Sequence, residues 1–194
     1  FPMRCVRILN RWIGLALWVS VLANASVAMG ASPDFKVTVD VDEQEGIYKT
    51  SASFVLPMRL CQAYRYLTDY DAAKNIPGVV SSATTRLDHN KVRVDRTLQD
   101  RILFFPVNFK MVLEVTEWPN KGTDFMQISG ASKSHKGSWR LEEAADATVF
   151  HYRTESEPDS VWPKAVVQYF IRNRLARSFE AMANAGVDYR LKSC

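Results

Sequence analysis

The sequence predicts an α+β fold, a curved antiparallel sheet with one long helix lying across it. Three observations carry that expectation. Alternating apolar positions recur from Phe35 to about residue 156, interrupted by short polar turns. A single long amphipathic stretch follows, opened by Trp162-Pro163 and running to about residue 188. No repeat, low-complexity tract or Gly/Ser/Pro linker divides the region from 35 to 190, so it reads as one domain. The 194 residues, 47% hydrophobic and 24% charged, suffice for a proper core. They exclude a disordered tail, a collagen-like repeat and a disulfide-dense miniprotein.

Residues 1–28 read as a secretory signal. Arg4, Arg7 and Arg11 precede the apolar run Trp12–Ala23, and small residues offer cleavage after Ala25 or Ala28. The run is well short of the roughly 20 residues a spanning helix needs. The expected location is the periplasm, with release outside the cell as the other option. The whole chain carries a formal charge of +4, but without the three leader arginines the remainder stands at +1. Nucleic-acid binding thereby loses its electrostatic basis. Export also makes Cys61 and Cys194 candidates for a disulfide, with two unpaired thiols as the alternative.

Each element has its own signal. Val37, Val39 and Val41 alternate with polar residues in a first strand, Asp42–Gly46 turns the chain, and 47–55 forms a second strand. Pro57 fits a first helical position, with Leu60, Ala63, Tyr64 and Leu67 following at helical spacing. Thr68-Asp69 caps a second short helix, which Pro77-Gly78 ends. Strands then dominate at 79–87, 91–103, 106–118, 123–132, 136–143 and 148–156. Turns fall at Asp88–Asn90, Pro119–Gly122 and Ala144–Asp146.

Two elements carry polar residues where apolar ones are expected. On the last helix Val167, Phe170, Ile171, Leu175, Phe179, Ala181, Met182 and Ala185 share a face, and Arg174 and Ser178 sit in its middle. An arginine there must find a carboxylate, snorkel to an edge or reach a solvated cavity. In 106–118 Val107, Phe109, Met111, Leu113 and Val115 share a face. In 91–103 Val92, Val94, Leu98 and Ile102 do so, and Arg96 interrupts them. A single bulge would turn Arg96 outward instead.

The motifs also carry a resemblance. Tyr66-Leu-Thr-Asp-Tyr70 followed by Ile76-Pro-Gly78 resembles the "LTDY…P" stretch of START-like, helix-grip proteins, and Lys136-Gly-Ser-Trp-Arg-Leu141 resembles their "G-x-W-x-L" strand. With Ala147–Tyr152 and the closing helix, the likeness spans about residues 45–187. It lies nearest the coenzyme Q-binding and polyketide cyclase-like group, which includes exported bacterial members. The resemblance implies six or seven antiparallel strands wrapped around the long helix, enclosing a cavity for an apolar ligand. Such proteins bind lipids, quinones, sterols or polyketides, and a minority are cyclases.

Other chemistry finds little support. His89, His135 and His151 have no ligand spacing, and His151 stands on the strand face opposite Phe150 and Tyr152, so no metal is expected. No nucleophile elbow and no Gly-rich phosphate loop occur, so no cofactor is expected. Asp69/Asp71 and Glu142/Glu143 read as helix-start and solvated strand-end charges. What remains is a set suited to holding a ligand: Arg96, Arg174, Tyr64, Tyr152 and Ser178 for its polar end. Phe109, Met111, Phe125, Trp139 and Phe170 would meet its apolar body, with Trp162 near the mouth.

Each has a plainer alternative: an internal ion pair for the arginines, simple core for the apolar residues, a helix-start staple for Trp162. The expected function is non-catalytic binding of a hydrophobic small molecule, a lipid or isoprenoid quinone, with segment 68–78 as a gate. The rival is a cofactor-free cyclase or dehydratase, which requires at least two convergent ionisable groups in the cavity. A membrane-surface or protein-interaction module, making transient contact through the Arg172/Arg177/Arg190/Lys192 end, is a third option.

Overall fold

A computed structural model describes residues 35–102, 105–160, 163–189 and 194, so the expected leader lies outside the described residues. Among these, the alternating runs become eight strands: β1 (Thr38–Gln44), β2 (Ile47–Leu56), β3 (Val79–Asp88), β4 (Lys91–Ile102), β5 (Phe105–Trp118), β6 (Gly122–Gly130), β7 (Ser132–Ala144) and β8 (Ala147–Pro158). Helix α1 (Leu60–Leu67) and a 3-10 turn (Ala72–Asn75) separate β2 from β3, and helix α2 (Lys164–Tyr189) follows β8. The strands form one antiparallel sheet in the order β1-β2-β8-β7-β6-β5-β4-β3. The link through α1 therefore carries the chain from one side of the sheet to the far edge, and the β3–β8 meander brings it back to β2.

The eight strands correct the six or seven implied by resemblance, because β1 and β2 form a hairpin that joins the meander through β8. The first turn is also tighter than Asp42–Gly46. Glu45 and Gly46 both take left-handed conformations (φ 55° and 86°), the signature of a two-residue hairpin turn, so pairing continues to Gln44 and Ile47. Helix α1 begins at Leu60 rather than at Pro57, where Gln62 Oε1 accepts the Arg59 N–H at 2.9 Å. The second helix is only a 3-10 turn. Thr68 closes α1 instead of capping it, its hydroxyl donating to Tyr64 O at 2.8 Å, while Asp69 Oδ1 accepts the Ala72 N–H at 3.2 Å.

Two apolar clusters hold the sheet. Phe54, Leu56, Phe150, Phe179 and Ala183 centre the first, where α1 and α2 pack on β2 and β8; Phe54 stacks on Phe150 at 4.8 Å. Val92, Val94, Leu113, Val115 and Phe125 form the second, on β4, β5 and β6. Trp139 and Tyr152 touch both clusters. Tertiary bonds fix α2 along its length, among them Gln168 Nε2 donating to Val41 O at 2.7 Å and Tyr66 Oη donating to Met182 O at 2.7 Å. Cys61 and Cys194 form a disulfide across a Cα separation of 6.1 Å, settling the alternative the sequence left open.

Thr148 is fully buried and its hydroxyl donates to Met58 O at 2.8 Å, joining β8 to the start of α1. Thr148→Val leaves that carbonyl without its partner. It is expected to lower stability by about 1–3 kcal/mol in denaturant titration. An unchanged midpoint would show that this bond does not hold the link.

A cavity between the sheet and the long helix

The inner face of the sheet and one face of α2 enclose a cavity of 780 Å³. Strand parity decides which side chains enter it. The β4–β5 register runs without a shift from Lys91↔Thr116 to Ile102↔Phe105, so no bulge inverts β4, and Val94, Arg96 and Leu98 all face inward. Phe109, Met111, Leu113 and Val115 face them from β5. On α2 the stripe expected from helical spacing lines the opposite wall, with Phe170, Arg174, Ser178 and Met182 one turn apart. Exposed lining residues mark the mouth: Asn75 and Pro77 before β3, Ala131 between β6 and β7, and Asp159 and Val166 at the entry to α2.

Of the residues expected to contact a ligand, Arg96, Phe109, Met111, Phe125, Trp139, Tyr152, Phe170, Arg174 and Ser178 line this cavity. Tyr64 does not. It lies on α1 near the charges of Glu117 and Arg86, because the cavity side of α1 is taken by Tyr66 and Leu67. Trp162 lies outside the described residues.

Arg96, Tyr152 and Arg174 bring polar groups to the cavity from β4, β8 and α2. Arg96 Nε lies 3.4 Å from Ser82 Oγ, and burial lowers its pKa from the ordinary arginine value. Tyr152 is pushed up to about 12, chiefly by burial, while a hydrogen bond with Thr154 and the charges of Arg96 and Arg174 oppose the shift. Its phenol is therefore a neutral donor at physiological pH. The Arg174 guanidinium stands 6.0 Å from the centre of the Phe109 ring, within cation–π range.

His135 was not anticipated as a cavity residue. The strand was expected to start at 136, whereas β7 starts at Ser132, and period two then puts His135 on the same side as Trp139. Its ring lies 5.6 Å from that of Phe125, which also stacks on Tyr152 at 6.0 Å. Burial lowers its pKa from the ordinary 6.5. The unfolded chain thus protonates first, and stability is lost as pH falls below about 6.5 and through the lower folded value. Replacing His135 with Gln is expected to flatten that loss in denaturation curves compared between neutral and mildly acidic pH. An unaltered pH dependence would assign the acid sensitivity elsewhere.

Sequence reading also missed a network beside the cavity. Glu117 extends the inward parity of Leu113 and Val115 and is 7% exposed. It pairs with Arg86 Nη1 at 2.7 Å and accepts the Tyr70 hydroxyl at 3.1 Å. Burial and the Glu117 charge both raise the pKa of Tyr70. These bonds pin the turn before Ala72 to β3 and β5 and hold Tyr70 in the cavity wall. Parity could have found Glu117, but Tyr70 lies in a turn and had no periodic signal.

Among the described residues no three His, Cys, Asp or Glu side chains converge as a metal site would require. The arrangement suits holding an apolar body with a few oriented polar groups.

Comparison with known proteins agrees with this geometry. Residues 56–183 match the family described as polyketide cyclase / dehydrase and lipid transport. No curated protein sequence matches the chain. The di-domain ARO/CYC protein StfQ of the steffimycin biosynthetic pathway superposes with a TM-score of 0.61 at 13% identity, covering 74% of this chain. The chain spans only half (50%) of that protein's length. A STAR-related lipid transfer protein from Xanthomonas axonopodis gives 0.60 at 14% identity, covering 77% of this chain and 98% of the other. The Zhui aromatase/cyclase from Streptomyces sp. R1128 gives 0.54 at 12% identity, covering 75% and 92%. At such identities the likeness establishes the START-like fold and leaves function to the site.

Proposed function

Because the chain belongs to the polyketide cyclase / dehydrase and lipid transport family, we propose that its cavity binds a hydrophobic small molecule, a lipid or isoprenoid quinone, without covalent chemistry. The observation that carries this reading is the cavity itself. Its 780 Å³ falls within the roughly 300–1,000 Å³ of ligand pockets, and its walls are mainly aliphatic and aromatic. Helix α2 shields the apolar body, and Arg96, Arg174 and Tyr152 face the polar end. The segment from Asp69 to Val79, which lines the cavity and supplies part of its mouth, serves as the gate.

Residues 35–190 act as a single ligand-binding domain, exported to the periplasm behind a leader cleaved after Ala25 or Ala28. Support for export comes from the Cys61–Cys194 disulfide, since such bonds persist in oxidising compartments. Native mass spectrometry of the untagged, exported chain, with solvent extraction of what co-purifies, tests the whole reading. A stoichiometric lipid or quinone is the expected result. A chain that is clean by mass and takes up neither lipid nor quinone when offered them would overturn it.

One observation favours a second reading, a cofactor-free cyclase or dehydratase acting on a polyketide-like substrate. Arg96, His135 and Tyr152 share the cavity, which meets the requirement for several ionisable groups. Under that reading a poly-β-ketone thioester is converted to a cyclised product, and His135→Gln stops conversion while binding survives. Recovery of the thioester unchanged favours the carrier.

A further inference from the structure

Charge is unevenly placed in the cavity. The carboxylates among its described lining residues are Asp69 and Asp159. Asp159 is exposed at the mouth, and Asp69 accepts the Ala72 N–H and faces Tyr66 and Tyr189. Arg96 lies elsewhere, midway along β4 and opposite Met111 of β5. Its surroundings are hydroxyl groups: Ser82 Oγ at 3.4 Å from Nε, and the phenols of Tyr152 and Tyr70. Ser82 donates its own proton to Tyr70 O at 2.7 Å, leaving its lone pairs toward the guanidinium. The buried carboxylate Glu117 is already held by Arg86 and Tyr70.

A guanidinium stays charged even when buried, and a buried charge without a counter-charge is costly. Arg96 has no carboxylate partner among the described residues, so its counter-charge has to come from what fills the cavity. Resting on the reading that this cavity binds a hydrophobic small molecule, we propose that the molecule is an amphipathic anion whose carboxylate or phosphate lies against Arg96. Tyr152 donates its phenolic proton to the same group. Phe109, Met111 and Phe170 hold the apolar body. A neutral sterol or quinone would leave the guanidinium uncompensated, and the site therefore discriminates by charge as well as by shape.

Calorimetric titration of the full chain with hexadecanoic acid, its methyl ester and hexadecyl phosphate, near neutral pH, tests this directly. The acid, the phosphate or both are expected to bind one per chain, roughly ten- to a hundredfold tighter than the ester. Tight binding of the acid alone names a free carboxylate as the source; tight binding of the phosphate alone names a phosphate headgroup. Arg96→Met should bring the favoured anion down to about the ester's affinity, and a urea unfolding curve matching that of the unaltered chain reports that the variant has folded. Equal affinity of acid, phosphate and ester for the unaltered chain overturns the charge inference and leaves the cavity reading standing. Failure of all three to bind overturns the charge inference, and uptake of a quinone by the same chain would then leave the cavity reading standing, whereas its failure too would overturn both.

Discussion

Reducing the Cys61–Cys194 disulfide, or replacing Cys61 with Ser, is expected to lower stability by about 2–5 kcal/mol. The two cysteines are 133 residues apart, so the bond closes nearly the whole described domain into one loop. A loop that long removes much of the freedom of the unfolded chain. In the folded state it joins α1 to the residue five positions beyond α2, beside a contact of the same sense. The Tyr66 and Tyr189 rings lie 5.1 Å apart, and Tyr189 Oη donates to Arg65 O at 3.4 Å. Urea titration with and without reductant measures the effect. A difference below about 1 kcal/mol would mean that these neighbouring contacts hold the α1–α2 junction unaided.

Ser178→Trp is expected to weaken ligand binding at least about 100-fold, which corresponds to roughly 2.7 kcal/mol. Ser178 sits on α2 one turn from Arg174 and one turn from Met182, and all three line the cavity. A tryptophan there would occupy volume that the ligand otherwise takes. The open space lets the ring enter without displacing the core at Phe179, so the stability change should stay within about 1–3 kcal/mol. Binding by the tryptophan variant at the unaltered affinity would place the ligand outside this cavity.

How much of this was legible beforehand depended on periodicity. Arg96 and Arg174 were found because each breaks an otherwise apolar face, and a polar residue among Val92, Val94 and Leu98 is visible to anyone counting by two. His135 follows the same rule and was lost only through a strand start placed four residues late, which cut it from the face it shares with Trp139. Tyr70 lies in a turn, where no period applies, and only its bond to Glu117 shows its direction. Tyr64 failed for another reason. Helical spacing put it on the apolar side of α1, but the helix is only eight residues long, and its neighbours Tyr66 and Leu67 face the cavity instead.

The sequence by itself determined the order of the strands, the antiparallel meander, the long closing helix and the period-two alternation along each strand. These follow from local chemistry, since backbone geometry repeats every two residues in a strand and every 3.6 in a helix. The resemblance it carried also pointed to the fold family. Only the tertiary structure decided that β1 and β2 join the meander through β8, that Cys61 meets Cys194, and that Arg96 and His135 open into one cavity with Tyr152. Each of these depends on how elements far apart in the chain approach one another. That approach is set by packing around Trp139, Tyr152 and Phe179, whose rings meet tilted or edge-to-face with centroids 4.7–5.5 Å apart. No local period encodes such packing, because it arises from the simultaneous fit of side chains from three elements.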